Sequence, residues 1–118
     1  MKTNTEKQAE YIALKRNLIE KKVVEVAQIV TSNAMNHANN QNKYFIELTI
    51  GSAMAGAGIN VYLKDDRIES ADCYGIYWPF ENMMFFNKDR FDRDVKIKLK
   101  EIKLLHDIAK KYFDLNNK

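Results

Sequence analysis

The chain has 118 residues, 46% hydrophobic and 30% charged, with a formal net charge of +3 and a single cysteine. This is enough for one domain with a real core, and it excludes a disordered tail. Lone Cys73 excludes an internal disulfide and fits a reducing compartment, and with a charged start and no apolar run near ~20 residues neither a signal peptide nor a membrane span is expected. A cytoplasmic protein is expected.

From Thr5 to about Met35 the spacing of Ile12, Ile19, Val23, Val26 and Val30 predicts a helix, its stripe widened by Tyr11, Leu14, Leu18 and Ala27. Thr5 and Gln8 have capping-box spacing, with other caps open. The asparagine-rich stretch after Ser32 is expected to end the helix and lead into a solvated loop containing His37. A helix of about 30 residues spans ~45 Å, against roughly 35 Å for the diameter of a compact chain of this size. It must therefore break near Arg16 to Lys22, bend, or project. A projecting apolar stripe needs a partner, so a homodimer through this helix is expected.

From Tyr44 the period becomes two. Tyr44, Ile46, Leu48 and Ile50 form one alternating series, Ile59, Val61 and Leu63 a second, and Ile68, Ser70, Asp72, Tyr74 and Ile76 a less regular third. These predict antiparallel strands joined by the small-residue segment GSAMAGAG and by a polar turn at Asp65 and Asp66. Met83 to Phe86 is a candidate fourth strand, and Pro79 bars the third from continuing as a central one. Val95, Ile97 and Leu99 alternate like a strand, but Phe91, Val95, Ile102, Leu105, Ala109 and Tyr112 follow helical spacing over a longer reach, which decides for a helix. Asp89, Asp92 or Asp94 can supply its N-terminal carboxylate. The expected fold is α+β: a long N-terminal helix, a three- or four-stranded antiparallel sheet, and a C-terminal helix packed on the sheet.

No catalytic, metal or phosphate-binding motif stands out, and no cofactor is expected. His37 has no acid or cysteine nearby, and His106 and Asp107 are adjacent helical residues that do not share a face. Cys73 has no neighbouring base to activate it. GSAMAGAG lacks the glycine spacing and the GK[ST] ending of a phosphate loop.

Two surfaces remain. The stretch Tyr74 to Phe91 holds seven of the thirteen aromatic residues together with the only Trp and the only Pro, more than one buried strand face needs. With the acidic residues beside it, this gives a candidate protein-binding set of Asp65, Asp66, Glu69, Asp72, Tyr74, Tyr77, Trp78, Phe80 and Glu81, suited to a basic partner. At least one of Trp78 and Phe80, which flank Pro79, is expected to be exposed. The second surface is Lys88, Arg90, Arg93, Lys96, Lys98, Lys100 and Lys103, a nucleic-acid alternative diluted by Asp89, Asp92, Asp94 and Glu101. Helix, three strands, helix is also the element order of double-stranded-RNA-binding domains, but the first helix here is longer and no basic cluster matches theirs. A small non-enzymatic inhibitor or immunity-type protein that neutralises a macromolecular partner is expected; the Asn, Lys and Ile usage is compatible with a phage or mobile-element origin.

Overall fold

The computed structural model describes residues 2–37, 42–51, 56–80 and 86–118. Helix α1 (Asn4–His37) is continuous over 34 residues. Its cap is Thr3, whose Oγ1 accepts from the Glu6 N–H at 3.1 Å, so the box begins two residues earlier than Thr5. The asparagines do not end it at Met35. Asn33 and Asn36 are helical, and His37 is the last helical residue instead of a loop residue.

Strands β1 (Tyr44–Gly51), β2 (Gly56–Leu63) and β3 (Asp66–Cys73) form an antiparallel sheet in that order. The pairs Ile46↔Val61, Leu48↔Ile59, Ile59↔Ala71 and Ala57↔Cys73 place one apolar set on a single face. Ser70 and Asp72 therefore point to the opposite face, and Glu69, across from Val61, points inward with Ala71 and Cys73. A register shift between Val61 and Tyr62 is what made the third series irregular. Asp66 already pairs with Leu63, so the turn is Lys64–Asp65, with Lys64 in the left-handed region at φ 58°. Tyr74 and Ile76 lie beyond the strand. Among the described residues the sheet has three strands; Met83 to Phe85 of the candidate fourth fall outside them, and Phe86 is not in a strand.

Helix α2 (Lys88–Asn116) takes Asn87 as its N-cap, the side chain accepting from the Arg90 N–H at 3.0 Å, with Asp89 in the first turn. Its buried residues Phe91, Val95, Lys98, Ile102, Leu105, Ala109 and Tyr112 follow one another in steps of four and three, with Ile108 buried beside them. Residues 95–99 are helical. The helices run parallel: Tyr11 bonds to Asp92 near their starts, and Asn33 and Asn36 meet Asn116 and Asn117 at their ends.

Two long helices side by side resolve the length problem without a break. The molecule measures 57 × 26 × 21 Å with a radius of gyration of 17.1 Å, above the ~13.5 Å of a compact chain. What projects is the segment before Tyr11, which is polar and, apart from half-buried Gln8, exposed. Ile19, Val23, Val26 and Val30 are packed in the chain's own core with Phe91, Ile102 and the sheet. Much of the stripe that suggested a homodimer thus packs within the chain, while Leu14 is 65% exposed. Among the described residues no helix is long and apolar enough to cross a membrane.

Candidate functional site

The aromatic-rich stretch divides between core and surface. Phe91 is buried and gathers Tyr11, Phe80 and Phe86, with ring centroids 6.0, 5.5 and 5.3 Å away. Tyr77 donates to Glu20 at 3.3 Å and lies 5.0 Å from the Arg16 guanidinium, tying the segment to α1. Burial first, then the Glu20 charge, push its hydroxyl pKa up. Tyr74 and Trp78 face outward, 61% and 59% exposed.

These two side chains stand on a tightly built corner. Gly75 adopts φ +60°, a conformation that costs a residue with a Cβ, and the Trp78 N–H closes a turn on the Gly75 carbonyl at 2.9 Å. A 3₁₀ turn (Trp78–Phe80) follows, with Pro79 buried. Beneath it lies Lys98, only 7% exposed, whose ammonium donates to the Tyr74 carbonyl at 2.7 Å and to Glu101 at 3.4 Å and sits 5.8 Å from the Trp78 ring centroid. A buried ammonium needs such partners. Lys98 is therefore a structural clamp and not part of a basic surface. Cys73, at the end of β3, is fully buried, and burial followed by its hydrogen bond to Glu101 pushes the thiol pKa up to about 12. This thiol is a poor nucleophile.

The acidic residues do not form one surface. Asp65 and Asp66 sit at the β2–β3 turn, at the far end of β3 from Asp72, Tyr74 and Trp78. Glu69 faces inward, accepting from the Tyr112 hydroxyl with Lys111 at 3.7 Å. That bond first, and then burial, push the Tyr112 pKa up to about 12. Phe80 is largely core, and Glu81 lies outside the described residues. The structure brings together Asp72, Tyr74 and Trp78; the Tyr74 hydroxyl donates to Asp72 at 3.3 Å.

Beside Tyr74, on the sheet face away from the helices, is a hollow of about 340 Å³ lined by Thr49, Gly51, Gly56, Gly58, Asn60 and Asp72. Periodicity does not reveal this hollow, because glycines in a strand read as turn or bulge.

The basic residues separate too. Lys88 pairs with Asp92 and Lys103 with Asp107, both i,i+4, at 3.0 and 2.7 Å. Arg90, Arg93, Lys96, Lys100 and Lys103, spaced by three or four residues, run along one exposed side of α2. Between the helices, opposite the sheet, is a cleft of about 380 Å³ with Leu18, Leu99 and Ile102 in it and Lys22, Lys103 and His106 at its edge. His106 Nδ1 does reach Asp107 Oδ1, at 3.4 Å, although the two are sequence neighbours. Asp107 is committed first to Lys103, which with His106 lowers its pKa. Among the described residues no group of three or more His, Cys, Asp or Glu is arranged to hold a metal ion.

The chain matches no protein-family model, no curated protein and no solved structure.

Proposed function

We propose that this is a non-enzymatic protein-binding domain that acts as an inhibitor, masking a macromolecular partner with the corner at Tyr74 and Trp78. The observation that carries the reading is the pairing of two outward aromatics, 61% and 59% exposed, with a base fixed by Lys98, the Gly75 turn and buried Pro79. Tyr and Trp supply a large contact area at little cost in side-chain entropy, and they are the residues most enriched at binding hot spots. A pre-set corner lowers the ordering cost of association further. Part of the Trp78 ring covers the Lys98 ammonium, but 59% of the residue stays in water, more exposure than that contact requires.

Affinity capture with the wild-type chain and with Trp78→Ala, compared by mass spectrometry, tests the proposal. A protein retained by the wild type is expected to be lost from the variant, with affinity down by about 2 kcal/mol or more and the chain still folded, its melting temperature only slightly lower. Equal retention by a folded Trp78→Ala chain overturns it. Arg93→Glu with Lys100→Glu supplies the other arm: if these, and not Trp78→Ala, abolish salt-sensitive retention on RNA or DNA, the nucleic-acid alternative takes its place.

A further inference from the structure

We infer that the hollow beside Tyr74 is a subsite for a cationic side chain of the protein partner, an arginine guanidinium in preference to an apolar residue. This rests on the reading of the Tyr74 and Trp78 corner as a protein contact, and it specifies the chemistry of what docks next to it.

Among the described residues none covers the sheet face opposite the helices at this end, where the strands carry glycines. Gly51 pairs with Gly56, and Gly58 pairs with Asp72. Backbone therefore forms the floor, with Thr49, Asn60, Asp72 and Tyr74 as walls. Its volume of about 340 Å³ lies at the low end of the ~300–1,000 Å³ of ligand sites, which suits one inserted side chain better than a cofactor.

Its charge is one-sided. The Asp72 carboxylate lies across Gly58: a Cβ built there would stand 2.5 Å from Oδ1. Among the described residues it accepts from the Tyr74 hydroxyl at 3.3 Å. Glu47 adds a second carboxylate behind Asn60, which donates to it at 3.3 Å. Among the described residues no cation pairs with either acid. The basic residue on this side of β3, Arg67, pairs opposite Tyr62, well along the strand from the Gly58↔Asp72 pair. A guanidinium entering here would meet a carboxylate with its planar fork and an exposed tyrosine ring with its face. An apolar side chain would strip water from both acids with nothing in return.

The full-length ¹⁵N-labelled protein, titrated with N-acetyl-arginine amide and separately with N-acetyl-norleucine amide, tests the inference. The arginine probe is expected to shift the Gly58, Asn60 and Asp72 amides saturably in the millimolar range, and the uncharged probe is not. Asp72→Asn removes the charge and should weaken the arginine probe about tenfold or more, which is about 1.4 kcal/mol. Gly58→Ala keeps the charge but displaces the carboxylate, and should weaken it as well. No saturable shift with arginine, equal shifts with norleucine, or unchanged binding by Asp72→Asn would each overturn the subsite. The two readings fail separately. Loss of partner capture by Trp78→Ala without any arginine response removes only the subsite, whereas an arginine response with capture unaffected by Trp78→Ala removes the corner.

Discussion

Trp78 and Phe80 flank one proline, yet they belong to different parts of the molecule. Trp78 rests on Lys98 with most of its surface in water, and Phe80 packs edge-on against buried Phe91. Phe80→Ala should therefore cost ~3–5 kcal/mol of stability, whereas Trp78→Ala should cost about 1 kcal/mol, the scale of its contact with the Lys98 ammonium. Chemical denaturation of the two variants checks this, and similar losses for both would place Trp78 in the core. Cys73 and Tyr112 make a second prediction, about pH. Both pKa values are raised to about 12, from 9.0 and 10.0, by burial and by bonds to Glu101 and Glu69. The unfolded chain then releases these protons first, so the stability they contribute is intact below pH 9 and is lost as pH rises toward 12. Denaturation midpoints should fall from pH 9 upward, and Cys73→Ala should flatten the decline between pH 9 and 10 while leaving the Tyr112 part above it. A thiol reagent at pH 8 should modify Cys73 only as fast as the chain unfolds.

At the scale of elements, the two helices stabilise each other. Val26 is 1% exposed in the shared core with Ile19, Ile102 and Leu105, and Val23 is partly buried against it. Val26→Asp would bury an unpaired carboxylate, a change expected to cost several kcal/mol. It should lower the melting temperature equally at every protein concentration. A melting temperature that depends on concentration, with a mass that halves in the variant, would instead mean that the stripe joins two copies. Periodicity revealed these helices because a stripe is a local property of sequence, and the strand alternation of β1 and β2 was readable for the same reason. β3 was harder to read. Its inward face carries Glu69, satisfied by Tyr112 from a residue 43 positions away, and the register shift at Val61 and Tyr62 breaks the alternation. Lys98 was hidden by its neighbours, since a lysine in a basic run reads as solvated until its carbonyl partner at Tyr74 is known.

At the scale of the whole molecule, one side chain joins the two ends of the fold. Asn116 Oδ1 accepts from the Tyr44 N–H at 2.8 Å, and its Nδ2 donates to the Tyr44 carbonyl at 2.9 Å and to Asn33 Oδ1 at 2.7 Å. The amide thus pairs with Tyr44 as a neighbouring strand would, at the point where β1 begins, and locks the last turn of α2 to the end of α1. No sequence pattern announces this, because the partners are 72 and 83 residues apart and asparagines in such company read as loop. Asn116→Ala would leave the Tyr44 N–H and carbonyl and the fully buried Asn33 short of partners. Each orphaned buried group costs ~1–3 kcal/mol, so the variant should lose about 2 kcal/mol or more. Amide exchange should rise first at Tyr44 and at the neighbouring turns of α1 and α2, while the corner at Trp78, held by Lys98 toward the other end of β3, keeps its protection. Uniform loss of protection across the sheet would mean that the two ends unfold as one unit. Unchanged exchange at Tyr44 would mean that the β1–β2 ladder alone holds the start of β1.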